Sequence, residues 1–375
     1  MPAQDTVAIE RDWRTLESLG QTTFFQSWEW IGSLLESVPP ASLPDVLRVS
    51  QSDRLVGICL LWPALHRRRG FVRSRSLHLN ETGDPEIDRL TIEHNGVLSA
   101  PGMKTEVAYA ILRHLSKVKD WDEVQLGGLG AADHTAWQQA TLATGLLWRI
   151  RWDKETYFVD LDQVRSRGDS YLSALSANTR YQARRAMRRC GERGALLYET
   201  ASTVNEAIDW LRCLADLHQA QWTSRGQQGA FGSEFANRFH RRLVTKGWSS
   251  GRVILARVSA GPLVLGYLYN FVRDGVVYNY QSGHVAERDP QSKPGLVCHC
   301  LAVEDALQRQ YRSYDMLMGG GHFKSSLTTG TDTLYWASVQ RRRLALQLET
   351  VMRAGRDLFR TPPAPAAMDC TVLPV

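Results

Sequence analysis

The residues with the clearest potential for chemistry lie between positions 278 and 327 of the 375-residue chain. A lysine there precedes a Pro-Gly pair, which opens a run with apolar residues at helical spacing. The first turn of a helix has backbone N–H groups without an intrahelical acceptor, and the helix dipole is positive there. These properties favour a phosphate or another anion. An ordinary helix start, where proline is favoured, explains the same residues. The predicted anion site consists of Lys293, Pro294, Gly295, Leu296 and Val297.

Two predicted strands flank this helix, YNYQSGHV before it and SYDMLM after it. The first strand ends with Tyr280, Gln281, Ser282 and Gly283. Asp315 and Lys324 bracket the second strand and the turn that follows it. A positioned acid or base contributes roughly 10²–10⁴-fold in rate, so these side chains are candidates for catalysis. The structural alternatives are core packing for Tyr280, a strand-end cap for Asp315 and a surface position for Lys324.

A third group lies upstream at the spacing H-x-x-x-W-x-x-R-G-x-x-G-A-F. Its members are His218, Trp222, Arg225 and Phe231. A tryptophan, an arginine and a Gly-rich turn can bind a polar or anionic acceptor. His218 also falls on the apolar stripe of Leu211 and Leu214, so a core histidine is the alternative. An arginine-rich helical run from 180 to 189 could meet a phosphate or an RNA, or could be a solvated helix face.

These motifs resemble those of the GNAT acyltransferases, and in particular of their CelD-like branch. The matching pattern is YQSG, KPG, YD followed by GG, and then Phe323–Lys324. The layout is also similar to the Fem-type peptidoglycan aminoacyltransferases, which take an amino acid from tRNA. The resemblance covers roughly residues 23–339. The chain departs from the common GNAT pattern in lacking the Q/R-x-x-G-x-G/A loop. It also has Phe323, which cannot donate a proton, near the position of a common tyrosine.

The resemblance implies a role for each group. The strand ending in Tyr280 separates from its neighbour, and its backbone binds the pantetheine arm of an acyl-CoA. Gln281, Ser282 and Gly283 then join the anion site as donor-binding residues. Tyr280 polarises the thioester, Asp315 orients the amine or accepts its proton, and Lys324 stabilises the leaving group or a phosphate. The acceptor lies near His218, Trp222, Arg225 and Phe231.

The composition is that of a globular protein, with 43% hydrophobic and 22% charged residues. Residues 1–165 carry 18 Lys and Arg against 22 Asp and Glu (−4), and residues 166–375 carry 27 against 17 (+10). The basic half holds the predicted anion site, as a polyphosphate ligand favours. The first residues lack the regions of a signal peptide, and the longest apolar run, 56–65, is too short to span a bilayer. Scattered cysteines indicate reduced thiols, so we predict a cytoplasmic protein without membrane insertion or a metal.

An internal repeat predicts the domain organisation. PGMKTEV followed by WDEVQLGG, from position 101, echoes PGLVCHC followed by SYDMLMGG, from position 294. We predict an α/β protein of tandem GNAT-like domains, with mixed central sheets flanked by helices. Residues 1–165 form a degenerate domain, because Ala100 stands where the second copy has Lys293. Residues 166–360 form the catalytic domain, and residues 361–375 form a disordered tail. Chance similarity of two helix–strand units is the alternative.

These observations predict an N-acyltransferase, with N-acetyl transfer as the first expectation. The donor is acetyl-CoA or another acyl-CoA, and the acceptor is an amine of a small metabolite or a saccharide precursor. Attack is direct, because no cysteine stands out as an acyl carrier, and it needs a base or a water chain. A Fem-type transferase that uses aminoacyl-tRNA is one alternative: the arginine helix favours it, and the lack of a long helical-hairpin insertion disfavours it. A non-catalytic GNAT-like binding module in polysaccharide synthesis is the other, and Phe323 favours it.

Overall fold

The computed structural model describes residues 5–343 except 69–71, 169, 225, 287, 288, 290 and 320. Arg225 and the predicted tail at 361–375 therefore lie outside the described residues. The described chain forms helices and a large mixed sheet. The predicted α/β fold class is confirmed.

The sheet has both parallel and antiparallel strands. They are β1 (Asp45–Gln51), β2 (Arg54–Arg68), β3 (Val72–Leu79), β4 (Leu98–Ser99), β5 (Glu123–Leu129), β6 (Leu147–Asp160), β7 (Leu196–Thr200), β8 (Val253–Ala260), β9 (Leu263–Arg273), β10 (Val276–His284), β11 (Ser313–Met318) and β12 (Gly330–Gln340). The helices are α1 (Thr6–Glu17), α2 (Trp28–Leu35), α3 (Lys104–Lys117), α4 (Ala131–Ala143), α5 (Leu161–Ser166), α6 (Tyr171–Ala174), α7 (Ala177–Gly191), α8 (Val204–Thr223), α9 (Glu234–Trp248), α10 (Pro294–Gln308) and α11 (Gly321–Leu327).

One continuous sheet runs through both halves of the described chain. Its strand order is β1-β2-β3-β5-β12-β6-β11-β10-β9-β8-β7, and β4 pairs with β2. The final strand, β12, lies between β5 and β6 of the first half, antiparallel to both. On its other side β6 pairs with β11 of the second half. The domain boundaries at 165 and 360 stay a prediction.

Both copies of the sequence repeat form the same unit. α3 precedes β5, which is parallel to β3, and α10 precedes β11, which is parallel to β10. Parallel neighbours need a crossover connection, and a helix supplies it in each case. The copies differ where the helix begins. Pro294 is the first residue of α10, whereas Pro101 and Gly102 precede α3, which begins at Lys104.

The largest buried apolar cluster joins the two halves. Trp13, Phe24 and Trp30 from the first half pack with Phe239 and Phe271 from the second. The rings of Phe24 and Phe271 are stacked, with centroids 4.1 Å apart and an interplanar angle of 11°. Aromatic side chains bury large areas, so this contact contributes strongly to the association of the halves.

The sequence predicts one long helix over residues 170–194, and the structure divides it into α6 and α7. Leu175 is extended, and Ser176 caps α7 by accepting the Thr179 N–H at 3.2 Å. A serine at this position satisfies one of the free amides of a new helix, which explains the break.

Candidate active site

The strands β10 and β11 pair only where they begin. Val276, Val277 and Tyr278 are in parallel register with Ser313, Tyr314 and Asp315, and the register ends there. Beyond this point β10 has a bulge against β9, and Leu317 on β11 has a left-handed φ of 61°. Both irregularities turn the strands away from a common register. The parallel register therefore ends where the strands are expected to separate. We call the region between the ends of β10 and β11 the cleft, and these two strand ends its walls.

The start of α10 differs in one respect from the sequence-based expectation. The N–H groups of Leu296 and Val297 both donate to the Lys293 carbonyl, at 3.0 and 3.2 Å. The expectation that these two amides are free at the helix start is therefore wrong, because the first turn closes on its own cap residue. Lys293 itself has a left-handed φ of 40°, and its Nζ donates to Gln182 Oε1 on α7 at 2.7 Å.

Two glycines of the predicted motifs are needed for close packing around β10. A Cβ on Gly283 would lie 2.6 Å from the Leu214 carbonyl of α8, and a Cβ on Gly295 would lie 2.9 Å from the His284 ring. Real Cβ atoms do not approach this closely. The glycines therefore let α8 and α10 contact the end of β10. Between these contacts, Ser282 lies in register with Leu268 of β9.

Several predicted acceptor residues come together on the α8 side of β10. The buried His218 ring lies 5.7 Å from Trp222 and 5.3 Å from Phe231, between ring centroids. Burial lowers the pKa of His218, and its side-chain hydrogen bonds with Gln219 and Gln281 partly oppose this. The structure thus links His218, Trp222 and Phe231 to Gln281 of the predicted donor strand.

Tyr280 lies in the aromatic core. Its hydroxyl donates to the Leu90 carbonyl, and its ring centroid is 4.8 Å from Phe271 and 5.7 Å from Trp30. Burial and the nearby Glu93 raise the pKa of Tyr280. Since the hydroxyl is already bonded and the ring is covered, the geometry favours the packing role over polarisation of a thioester.

Asp315 is held by three partners. Its Oδ1 accepts the Thr156 hydroxyl at 3.0 Å and the Leu317 N–H at 2.7 Å, and its Oδ2 lies 2.9 Å from His94 Nε2. Burial lowers the pKa of His94, but Asp315 and Glu93 together raise it above its ordinary value. Asp315 is therefore the hydrogen-bond partner of a histidine from the first half, and its three contacts favour a positioning role.

Lys324 is anchored to the end of β11. Its Nζ donates to the carbonyls of Met316, Leu317 and Met318 at 2.5, 3.2 and 2.6 Å. Burial lowers the pKa of Lys324, while Glu93 and Asp315 oppose the change. An ammonium has three donors, and all three have acceptors here. Lys324 therefore places a positive charge beside the cleft wall and holds the carbonyls of that wall.

Two residues that the sequence reasoning missed complete this cluster. They are Glu93 and His94, from the loop between β3 and β4. Glu93 Oε2 accepts the Met318 N–H at 2.8 Å, and burial raises the pKa of Glu93 to about 7. An ionisable pair between the apolar residues Ile92 and Val97 was the one sequence signal for a buried charge.

A pair of histidines lies on the α10 side of β10 and was also missed. The rings of His284 and His299 have centroids 5.5 Å apart, and His299 lies 5.8 Å from the half-exposed Phe323. Burial lowers the pKa of His284 to about 4 and lowers that of His299 further below its ordinary value. Both rings are therefore neutral near pH 7.

Two further features bear on the predicted chemistry. Among the described residues, no group of three or more His, Cys, Asp or Glu side chains is arranged to hold a metal ion. Burial raises the pKa of the Cys298 and Cys300 thiols on α10, so both are protonated thiols in the core.

None of the helices in the described part of the chain combines the length and apolar character needed to cross a membrane.

Comparisons with known proteins agree with this geometry. Residues 177–325 match the family model of the acetyltransferase (GNAT) domain. The fold is similar to the crystal structure of FemX, with a TM-score of 0.57, 10% identity and coverage of 91% of this chain and 97% of that one. It is also similar to L-PGS from Bacillus licheniformis, with a TM-score of 0.54, 13% identity and coverage of 92% and 96%. A putative lysylphosphatidylglycerol synthetase C-terminal domain from Agrobacterium fabrum has a TM-score of 0.52, 12% identity and coverage of 93% and 96%.

No curated protein matches the chain by sequence. The similarity to the solved structures is a similarity of fold, since every identity is far below that of close relatives. The match at 177–325 begins at α7 and ends within α11, so it includes β10, α10, β11 and Lys324. Residues 177–325 are therefore similar to the acetyltransferase (GNAT) domain over all of these elements.

Proposed function

We propose that the protein is an N-acyltransferase that moves an acyl group, in the simplest case acetyl, from acyl-CoA to an amine. The acceptor is a small metabolite or a saccharide precursor. The observation that carries this proposal is the separation of β10 from β11 beyond Tyr278 and Asp315, with the Lys324 ammonium held on the β11 wall. A thioester placed between the strands would lie beside a fixed positive charge.

The catalytic contribution of this arrangement is positioning and charge. Holding the thioester and the amine in contact supplies much of the rate by proximity. Negative charge develops on the carbonyl oxygen and then on the sulfur, and a preorganised cation stabilises both. The 3.2 Å bond from Lys324 to the Leu317 carbonyl is its longest, so a substrate oxygen would replace that acceptor first. Phe323 has no proton to donate, so the leaving thiolate takes its proton from water.

The donor site in this proposal rests on Lys293, Gly295 and the backbone at Gln281, Ser282 and Gly283. Lys293 supplies charge at the mouth of the cleft. Gly295 contributes its backbone N–H, because Pro294 has none and the next two amides are already bonded to Lys293. The acceptor site rests on the cluster of His218, Trp222 and Phe231 on the α8 side.

The finer assignments belong to the same proposal. They are the CelD-like branch, a cytoplasmic location, a degenerate first domain at 1–165 and a catalytic domain at 166–360. Five cysteines in the described residues are free, as in proteins of reducing compartments.

An aminoacyl-tRNA donor is the second candidate, and one observation favours it. Helix α7 exposes Arg184, Arg188 and Arg189 next to the contact between Gln182 and Lys293. A basic helix face beside the donor cleft suits a polyanion that extends beyond the coenzyme. The similar folds of FemX and L-PGS are in keeping with this candidate.

A thiol-release assay tests the first candidate. Acetyl-CoA is incubated with a panel of amines that includes amino sugars. With charged tRNA as the donor, which releases no thiol, transfer of a labelled amino acid to the same panel is measured instead. We expect thiol release that depends on the amine, and a loss of about 100-fold or more in Lys324→Met, because a preorganised charge is removed. Lys119→Met, at an exposed lysine of the first half, is the matched control and keeps full activity. Amine-dependent transfer from tRNA alone would replace acyl-CoA by the second candidate.

A further inference from the structure

The loop between β3 and β4 contacts β11 of the other half through Glu93 and His94. It places Glu93 against β11 just after the separation from β10, where Glu93 Oε2 accepts the Met318 N–H at 2.8 Å. The carbonyl of the same residue, Met318, accepts Lys324 Nζ at 2.6 Å. The backbone N–H of Met318 thus binds the Glu93 side chain, and the carbonyl of Met318 binds the Lys324 side chain.

The other ionisable groups here have partners. His94 Nε2 and Asp315 Oδ2 are 2.9 Å apart. Lys324 uses all three donors on carbonyls. In the part of the chain that the structure describes, Glu93 has no ion pair, although it is only 5% exposed. The charged and titratable groups that face it are Lys324 from α11, His94 from its own loop, Asp315 from β11 and Tyr280 from β10.

Backbone strain fixes this loop. Thr91 and His94 have left-handed φ values of 49° and 48°, a conformation that non-glycine residues rarely adopt, and Leu317 opposite them has 61°. Such strain persists only where the surroundings hold it, and it clusters at functional sites. Thr91 and His94 lie beside Glu93 in the loop, and Leu317 precedes Met318 on β11.

We propose that Glu93, contributed by the first half, is the catalytic residue that accepts the proton of the acceptor amine. This inference rests on the proposed function. The neutral amine attacks the thioester carbonyl carbon, so a C–N bond forms and the nitrogen becomes positively charged. Its proton passes to the Glu93 carboxylate, the C–S bond breaks, and sulfur leaves with the electron pair. The thiolate takes a proton from water, and Glu93 returns its proton to water.

The titration of Glu93 is suited to this step. Burial raises its pKa to about 7, so near neutrality the carboxyl divides between both states. A base is most effective when its pKa is near the working pH. His299 is the other candidate base at the cleft, but burial holds its pKa well below its ordinary value, which weakens it as a base.

The experiment measures kcat/KM by thiol release from pH 5.5 to 9, with the best amine of the panel. We expect the wild-type rate to rise through a pKa near 7, and Glu93→Gln to lose 10²–10⁴-fold together with that inflection. The glutamine amide oxygen can still accept the Met318 N–H, so the fold is kept. Glu93→Asp should restore part of the rate with a shifted inflection. Titration with acetyl-CoA should give the same affinity in all three proteins.

Glu81→Gln is the matched control. Glu81 lies on the same loop, and burial raises its pKa to about 8, but its charge faces Asp88 and Arg151 instead of β11. We expect this variant to keep the wild-type profile. If Glu93→Gln stays within tenfold of wild type with the same inflection, Glu93 is not the base and the proposed function stands. If His299→Asn removes the inflection instead, the role moves to His299. If wild type releases no thiol with any amine, both proposals fall.

Discussion

Relative to the wild type, the Glu93→Gln variant should become more stable as the pH rises, although the substitution removes a group proposed for catalysis. The folded-state pKa of Glu93 is about 7, above its ordinary value of 4.5. Between these values the folded state binds more protons than the unfolded chain, so the free energy of unfolding of the wild type falls as pH rises. Above pH 7 both states are ionised and the decline ends. Glutamine does not ionise and escapes this decline.

The size of the effect follows from the shift. A difference of one pKa unit corresponds to about 1.4 kcal/mol, so the full shift of Glu93 corresponds to about 3 kcal/mol. Because the pH dependence of all shared groups cancels between the two proteins, their difference isolates this carboxyl. We expect Glu93→Gln to gain about 2–3 kcal/mol relative to wild type between pH 5 and pH 8.

Urea unfolding at pH 5, 6, 7 and 8 measures this difference. Glu86→Gln, at an exposed position of the same loop, controls for the substitution itself and should follow the wild type. A difference between Glu93→Gln and wild type that is equal at every pH would refute the reasoning. In that case the carboxyl would be solvated in the folded protein, and its proposed tuning as a base would lose its physical cause.

Two further predictions concern the walls of the cleft. Lys293→Ala should weaken acetyl-CoA binding by roughly tenfold or less, as expected for the loss of one exposed charge. Its urea midpoint should be unchanged, since the Lys293 side chain makes one exposed hydrogen bond, to Gln182. Equal affinity of the variant and the wild type in calorimetric titration would remove Lys293 from the donor site. Gly283→Ala should destabilise the fold by about 1–3 kcal/mol, because the new Cβ would lie 2.6 Å from the Leu214 carbonyl of α8. If urea unfolding gives this variant the stability of the wild type, α8 can move away from the new Cβ without cost.

Much of the fold could be predicted from local patterns. The strand meander from β8 to β10, the helix α10 and the repeated helix–strand unit all have apolar periodicity that matches their structure. The sequence predicts a strand over residues 157–161, whereas β6 begins at Leu147 and ends at Asp160. Its earlier residues from Lys154 back to Ile150 are exposed, so no alternation of buried and exposed positions marks them as a strand. Pairing with β12 makes this segment a strand, and that contact is remote in sequence.

The candidate site shows the same difference between local patterns and contacts that are remote in sequence. The sequence singles out Gly283 and Lys324 because each lies in a short motif with a local physical meaning. The same local reasoning missed that the Leu296 and Val297 amides are bonded to Lys293. The position of Tyr280 was not predictable, because its partner Leu90 is 190 residues away. Glu93 and His94 were missed for the same reason, since His94 and Asp315 are 221 residues apart. Apolar periodicity predicts which side of a helix or strand is buried. It does not predict which charged residue, remote in sequence, contacts that side.

The strand order explains why the cleft needs both halves. β11 is paired with β10 over only three residues, so the second half alone does not determine where β11 lies beyond Asp315. That position is set from the first half: Thr156 of β6 is in register with Met318 and bonds Asp315, and Glu93 binds the Met318 N–H. The width of the cleft therefore depends on contacts from the half that lacks the donor motifs. Contacts from the first half thus position one wall of the cleft and supply the ionisable groups Glu93 and His94 beside it.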